Sequence, residues 1–227
     1  QMLSVDYSQI ELRVLAHLSK EKNLVKAFIN GEDIHNATAK LMYETDDVSS
    51  DQRRIAKILN FGVLYGLGPR GVSQQTDLTR EQGKQFIDLY FGKYPGIKDF
   101  QKTQIEKSKT TGYSQTLLGR KRYLDDINSP NARIRGFAER VAINMPIQGT
   151  AAEIIKVAMI QIGQQIRKEK MRSKMLIQVH DELIFEVAPG ELMEVGAIIN
   201  EIMPNAIKLD VPVLVDIKTG DSWGSLD

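Results

Sequence analysis

Apolar residues recur at strand-like spacing near the two ends of the chain and at helical spacing through most of its middle. The run at 1–6 predicts a strand, and the apolar arms of 175–187 predict a largely buried hairpin. A further strand is predicted over 211–217. A long helical pattern covers 131–170, and we expect a break or kink at Pro146, which lacks a backbone N–H.

One helix, predicted over about 52–66, carries polar and aromatic side chains in a definite order. At about 100° per residue, Arg53, Lys57, Phe61 and Tyr65 lie along one face. Cations at the N-terminal end and aromatic rings further along fit a nucleoside triphosphate that lies along the helix. A solvated basic face with buried rings would show the same spacing, so spacing alone leaves both interpretations open.

Three carboxylates stand where predicted strands end or turn. Asp6 ends the first strand, and Asp181 and Glu182 occupy the turn of the hairpin. Like charges on a buried hairpin repel each other unless a cation compensates them, and oxygen ligands suit Mg²⁺. Asp6 fits a helix cap equally well, and Glu11 fits a capping box with Ser8.

A short helix is predicted after residue 31, with Asp33 as its N-cap. His35 then falls in the first turn of this helix. A histidine there can reach a phosphate, but it is more often an ordinary surface residue.

Charge is distributed unevenly along the chain, although the formal net charge is only +1. Residues 98–140 have a balance of +5, and residues 181–227 have a balance of −8. Within and beyond the basic region, Arg140, Asn144 and Gln148 recur every four residues. Their hydrogen-bond donors fit the acceptors of a DNA minor groove. An ordinary polar helix face has the same spacing.

The composition excludes several other classes of protein. The chain contains no cysteine, which rules out disulfides and cysteine-based zinc sites. No apolar run reaches membrane-spanning length, and no stretch resembles a signal peptide. We therefore expect a soluble intracellular protein without a membrane partner.

Five segments fit one known pattern. Residues 6–13 read DYSQIELR, residues 53–66 read RRIAKILNFGVLYG, and residues 179–182 read VHDE. In that order they resemble motifs A, B and C of the family A DNA polymerases, of the bacterial DNA polymerase I type. Residues 116–120 and 140–149 also resemble segments of this family, so the resemblance covers nearly the whole chain.

The resemblance implies an α+β fold in which an antiparallel-sheet palm carries a mostly helical fingers insertion. Residues 1–19 and 111–227 would form the palm and residues 20–110 the fingers. The motif B helix would lie at about 52–66 and the motif C hairpin at about 175–187. The thumb domain precedes motif A in the family, so it would lie upstream of this chain.

The resemblance also implies roles for single residues. Asp6, Asp181 and the backbone carbonyl of Tyr7 would hold two Mg²⁺ ions, with Glu182 beside them and Lys57 in the same catalytic group. The residues implied to bind the dNTP are Arg53, Lys57, Phe61, Tyr65, His35, Gln9 and Glu11. Those implied to face the primer-template DNA are Arg140, Asn144, Gln148 and His180.

The implied reaction is template-directed addition of a dNTP to a primer 3′-hydroxyl, with release of pyrophosphate. One alternative is a nucleotide- or DNA-binding fragment that is inactive without its thumb. The other is a two-metal nuclease with the same carboxylates, against which the motif B helix argues. A bacterial source would imply a cytoplasmic, nucleoid-associated protein, but the sequence also leaves viral and organellar sources open.

Overall fold

The computed structural model describes residues 1–76 and 78–226, apart from the side chains of Val63 and Leu64. The chain divides into two units, each of which is described by itself below. The first unit comprises Gln1–Ile10 and Ala151–Asp227, and the second comprises Glu11–Thr150.

Helices dominate the described residues, and the strands form one four-stranded sheet and one small hairpin. In chain order the elements are β1 (Met2–Tyr7), α1 (Ile10–Ser19), α2 (Lys22–Ile29), α3 (Ile34–Tyr43), α4 (Ser50–Leu64), α5 (Pro69–Gln75), α6 (Arg80–Lys93), α7 (Pro95–Thr111), β2 (Tyr113–Gln115), β3 (Lys121–Tyr123), α8 (Ala132–Lys168), β4 (Lys174–Val179), β5 (Glu182–Glu186), α9 (Leu192–Ile202) and β6 (Val215–Gly220). Helices with a separate antiparallel sheet make the α+β fold that was predicted. No helix of these residues is both long and apolar enough to cross a bilayer.

The four-stranded sheet belongs to the first unit. Its strand order is β4-β5-β1-β6, and every neighbouring pair is antiparallel. In the two central strands, Leu3, Val5, Leu183 and Phe185 are at most 1% exposed. Ile184, on the opposite face of β5, is 0% exposed as well, and burial on both faces explains why residues 183–185 read as a continuous apolar run.

The predicted hairpin forms from β4 and β5, but only its second arm is buried. Leu176 and Ile177 of β4 are 47% and 41% exposed. In the order of the described strands, β4 stands at an edge and has a neighbour on one side alone. The prediction of a largely buried hairpin is therefore wrong for β4.

The last strand lies further along the chain than predicted. β6 begins at Val215, whereas the apolar pattern placed the strand at 211–217. Val211 and Val213 are buried although they lie outside the strand. Pro212 between them has no N–H to donate to a strand ladder, so apolar character here marks burial and not strand.

Two side-chain caps fix the helices that carry most predicted nucleotide-binding residues. Asp33 accepts hydrogen bonds from the backbone N–H groups of His35 and Asn36, at 2.8 and 3.0 Å, as predicted for the cap of α3. Ser49 and Gln52 each accept from the backbone N–H of the other, at 3.2 and 2.9 Å. This reciprocal capping box starts α4.

The longest helix, α8, continues for 37 residues through Pro146. A break at Pro146 is therefore wrong, whereas the alternative of a kink within the helix stays a prediction. A proline inside a helix costs about 3 kcal/mol because one backbone hydrogen bond is lost. Ile143, Ile147 and Thr150 around it are at most 6% exposed, and burial of this face offsets the cost.

Candidate active site

Four carboxylates gather at one end of the sheet in the first unit. The antiparallel register pairs Asp6 of β1 with Glu182 of β5 on one side and with Asp216 of β6 on the other. Asp181 precedes Glu182 in the turn of the hairpin. All four line a cavity of about 650 Å³, together with residues that include His180. The fold thus brings Asp6 and Asp181 together although most of the sequence lies between them.

This crowding changes the acidity of Asp6. Burial and the negative charges of Asp181, Glu182 and Asp216 raise the pKa of Asp6 to about 6, while the backbone N–H of Tyr7 opposes the shift. Removal from water and like-charged neighbours both disfavour an ionised carboxylate, and a bound cation would relieve both. The side chains of this cluster therefore fit a divalent cation.

Within residues 1–76 and 78–226, no three His, Asp or Glu side chains converge as ligands of a single metal ion. The ligand set implied by the resemblance contains only two carboxylates, since its third member is a backbone carbonyl. Mg²⁺ typically takes one or two protein carboxylates and completes its shell with water and substrate phosphates. The side-chain arrangement is therefore compatible with that ion.

Asp216 is the member of this cluster that sequence analysis did not select. In the sequence it interrupts the apolar run of residues 211–217. A carboxylate inside an apolar run is a signal that could have drawn attention to it. Its place beside Asp6, however, depends on the pairing of β6 with β1, which local patterns do not give.

Hydrogen bonds hold the hairpin turn against β1. The Ser4 hydroxyl donates to Oε1 of Glu182, and the backbone N–H of Tyr7 donates to the backbone carbonyl of Asp181 at 3.2 Å. His180 has a φ of 54°, in the left-handed region that residues other than glycine adopt rarely. Strained backbone of this kind occurs often in functional turns.

After β1 the chain turns directly into a helix. The Tyr7 ring is 1% exposed, and its hydroxyl donates to the backbone carbonyl of Met203 at 2.8 Å. Gln9 has a φ of 53°, and α1 begins at Ile10. Ser8 therefore stands two residues before the helix and not at its N-cap, so the predicted capping box is wrong.

The Glu11 carboxylate has a different partner, within the second unit. The Tyr65 hydroxyl donates to Oε2 of Glu11 at 2.7 Å. The resemblance implied that both side chains bind the dNTP, and a direct hydrogen bond joins them here. Tyr65 remains 41% exposed.

The predicted face of α4 has the order of side chains expected from their spacing. The Arg53 guanidinium donates to Oδ2 of Asp33, from Nε at 3.1 Å and from Nη2 at 2.6 Å. Lys57 is exposed one turn later. Another turn along, the Phe61 ring lies with its centroid 5.5 Å from that of His35. Two cations and an aromatic ring thus follow one another along the helix.

His35 is buried, with 4% of its surface exposed, so the surface location expected of such a histidine is wrong. Burial lowers the pKa of His35, and the positive charges of Arg53 and Lys57 lower it further, against the opposing effect of Asp33. Its Nδ1 lies 3.2 Å from Nδ2 of Asn60. The imidazole is therefore neutral at physiological pH.

Three predicted DNA-binding residues lie on α8 in the second unit. Gln148 is exposed, whereas Oδ1 of Asn144 is buried without a hydrogen-bond partner in the described part of the chain. The Arg140 guanidinium lies 5.9 Å from the centroid of the Phe137 ring. Gly66, with a φ of 68°, approaches Arg140 so closely that an added Cβ would lie 2.8 Å from its Cγ. A side chain at Gly66 would therefore displace Arg140.

Residues 116–120 pack against α8, which no spacing argument indicated. The backbone N–H of Leu117 donates to the Thr150 hydroxyl at 3.0 Å. An added Cβ at Gly149 would lie 2.4 Å from Cγ2 of Thr116. The glycine thus allows the close approach of two segments that the resemblance had selected separately.

Comparison with known proteins agrees with this fold. A family model for DNA polymerase family A matches residues 1–225. The chain therefore belongs to DNA polymerase family A. Its relatives include DNA polymerase I of Streptococcus pneumoniae (strain ATCC BAA-334 / TIGR4), 48% identical over 225 residues, and DNA polymerase I of Bacillus subtilis (strain 168), 45% identical over 224 residues.

These alignments cover 98% of this chain but only 26% of each relative, so the chain spans about a quarter of their length. A solved structure, the POL domain of Pol1 from M. smegmatis in complex with DNA primer-template and dNTP, is 42% identical with a TM-score of 0.95. The match covers 99% of this chain and 40% of that one. The predicted family and fold class are both confirmed.

Proposed function

We propose that this chain is the part of a template-directed DNA polymerase that binds a dNTP and adds it to a primer. The observation that carries the proposal is the group of Asp6, Asp181, Glu182 and Asp216 at the end of one sheet, in a chain of DNA polymerase family A. The mycobacterial relative was solved with primer-template and dNTP. We propose the same partners here.

Two Mg²⁺ ions fit the carboxylate cluster in this proposal. Asp6 and Asp181 would hold them, together with the backbone carbonyl of Tyr7, and Glu182 would stay adjacent. The raised pKa of Asp6 supports a cation at this place, because repulsion among the carboxylates otherwise disfavours the ionised form. When bound, the ions activate the primer hydroxyl and neutralise charge on the phosphate that is transferred.

The primer 3′-hydroxyl loses its proton to solvent water and forms a bond to the α-phosphorus of the dNTP, while the bond from that phosphorus to the bridging oxygen breaks and pyrophosphate leaves. Arg53 and Lys57 donate hydrogen bonds to the phosphate oxygens, and the Lys57 ammonium balances the charge that develops on the leaving group. His35 adds a further N–H donor. Phe61 bounds the pocket of the base and sugar, and Gln9 lies beside the triphosphate.

Glu11 selects deoxyribose over ribose in this proposal. Its carboxylate is held by the Tyr65 hydroxyl at 2.7 Å, which leaves it little freedom to move aside. A fixed side chain next to the sugar leaves no room for a 2′-hydroxyl. Exclusion by bulk needs no hydrogen bond to the substrate.

Primer-template DNA is contacted by Arg140, Asn144, Gln148 and His180. Donors that reach the minor groove find similar acceptors on every base pair, so these contacts bind DNA without reading its sequence. The positive balance of residues 98–140 supports binding to a phosphate backbone nearby.

The proposal assigns residues 1–19 and 111–227 to a palm and residues 20–110 to fingers. Following the family resemblance, the proposal places a thumb upstream in the polypeptide, and the relatives are long enough to contain further domains. In a bacterial cell the protein would work in the cytoplasm, beside the nucleoid.

Extension of an end-labelled primer in the presence of Mg²⁺ and dNTPs tests the function. The 227-residue chain is assayed alone and fused to the thumb of a relative, each as wild type and as Asp181→Asn. The proposal is supported if the wild type elongates the primer according to the template and Asp181→Asn does not. Elongation by the fusion alone shows that the chain binds nucleotide or DNA but needs a thumb, and a shortened primer would reveal the two-metal nuclease and refute the polymerase.

A further inference from the structure

Asn60 is a buried polar residue that the proposed function does not use. It lies on α4, between Lys57 and Phe61 in sequence, yet none of its surface is exposed. A polar side chain at this depth is costly unless hydrogen bonds satisfy it. Its partners therefore indicate what it does.

Both polar atoms of the Asn60 amide have partners. Oδ1 accepts from the hydroxyls of Tyr90 and Thr38, each at 3.1 Å. Nδ2 donates to Oγ1 of Thr38 at 3.0 Å and lies 3.2 Å from Nδ1 of His35. The Tyr94 hydroxyl lies 2.9 Å from Oγ1 of Thr38. All five residues are at most 4% exposed, so water does not compete with these contacts.

The network orients the amide. The Tyr90 hydroxyl donates to Oδ1 of Asn60 at 3.1 Å, which places the amide oxygen toward Tyr90. The amide nitrogen, which carries only donors, then faces Nδ1 of His35. Nδ1 satisfies that contact only with a lone pair, and a neutral imidazole with a free Nδ1 lone pair carries its hydrogen on Nε2.

We propose that Asn60 is a positioning residue that holds His35 as the neutral Nε2–H tautomer, so that Nε2 presents a single fixed donor to a phosphate oxygen of the nucleotide. The inference rests on the proposed function, in which His35 contacts the triphosphate. With 4% of its surface exposed, His35 has little access to water that could replace Asn60 at Nδ1. The tautomer therefore depends on the amide.

The charged groups around His35 set the range of pH over which its imidazole is the neutral Nε2–H tautomer. Arg53 and Lys57 disfavour a second proton on the imidazole, and Asp33 favours it. A proton on Nδ1 would face the N–H groups of Asn60, so protonation of His35 breaks their contact. Above the pKa of His35 the Nε2–H donor is present at every pH.

Nitrogen-15 NMR of the imidazole rings tests the tautomer directly. The chain contains only three histidines, and His35→Gln assigns the signals of His35. At about pH 8 the wild type should show a protonated Nε2 and an unprotonated Nδ1. Asn60→Asp places an acceptor where the amide donor was, so it should move the proton to Nδ1 and raise the pKa of His35. Tyr94→Phe removes a hydroxyl from the same network without touching His35, and it should leave the tautomer unchanged.

Nucleotide binding supplies a second measurement on the same variants. At about pH 8, Asn60→Asp should weaken dNTP binding roughly tenfold, because an unprotonated Nε2 then faces the phosphate. Binding should recover as the pH falls and the imidazolium regains its Nε2–H. Damage to packing alone does not produce this recovery.

An Nδ1–H tautomer in the wild type, or an unchanged tautomer in Asn60→Asp, overturns the role of Asn60 even if His35→Gln weakens dNTP binding. Unchanged dNTP binding in His35→Gln instead refutes the contact of His35 with the triphosphate. That result removes the purpose inferred for Asn60 together with this part of the proposed function.

Discussion

Replacement of Asp6 by asparagine should make the protein more stable at neutral pH while it abolishes nucleotide addition. Folding raises the pKa of Asp6 from 3.8 to about 6, so the folded protein holds this proton more tightly than the unfolded chain does. The wild type therefore loses stability as the pH rises from about 4 to about 6, and the loss is complete above that range. Asparagine carries no charge at any of these pH values, so the variant escapes the loss.

The expected magnitude follows from the shift in pKa. A shift of about 2 units corresponds to roughly 3 kcal/mol in a site without water. Asp6 is only partly buried, and screening by water reduces the effect to about 1 kcal/mol. We expect the free energy of unfolding of Asp6→Asn to exceed that of the wild type by about 1 kcal/mol at pH 8. Below about pH 4 the two free energies should be nearly equal.

Urea unfolding across this range of pH measures the difference. Asp88→Asn serves as the control, because it removes an exposed carboxylate outside the cluster. Addition of Mg²⁺ at about pH 8 should stabilise the wild type more than Asp6→Asn, since a ligand of the folded state raises the free energy of unfolding. A difference that does not change with pH, or a variant less stable than the wild type at about pH 8, would refute the account of crowded carboxylates.

Four further substitutions test the other proposed contacts. Lys57→Ala should weaken dNTP use by about 10- to 100-fold with little effect on DNA affinity, because a charge-assisted hydrogen bond contributes about 1.5–3 kcal/mol. The dNTP dependence of primer extension measures this effect. A loss of DNA affinity instead would assign Lys57 to the template. Glu11→Ala should raise the ratio of ribonucleotide to deoxyribonucleotide incorporation, whereas an unchanged ratio with a lower melting temperature would leave the bond to Tyr65 a structural one. Arg140→Ala and Gln148→Ala should lower primer-template affinity equally on different DNA sequences, and a new sequence preference in a binding assay would indicate that they read bases directly.

Local patterns sufficed for the elements whose geometry is itself local. The regular rotation of a helix placed Arg53, Lys57 and Phe61 along one face of α4 from spacing alone. Asp33 caps α3 as its position before the helix predicted. For Glu11 the local rule failed, because Gln9 takes up a left-handed conformation and separates Ser8 from the helix.

The sequence did not predict the features that depend on tertiary pairing. Asp216 joins the carboxylate cluster only because β6 pairs with β1, and the exposed face of Leu176 follows from the edge position of β4. Pro146 is accommodated because its neighbours are buried, a condition that its own sequence context does not reveal. Asn60 has partners on α3 and α6, far from it in sequence.

Incorporation of a single nucleotide tests the central claim most directly. The chain, alone and fused to a thumb, is mixed with Mg²⁺, a primer-template with a defined next template base, and each dNTP in turn. The account predicts that only the complementary dNTP is added, and that Asp6→Ala and Asp181→Ala each abolish its addition while the protein stays folded. Addition by either variant at a rate near that of the wild type would contradict the assignment of these carboxylates to catalysis.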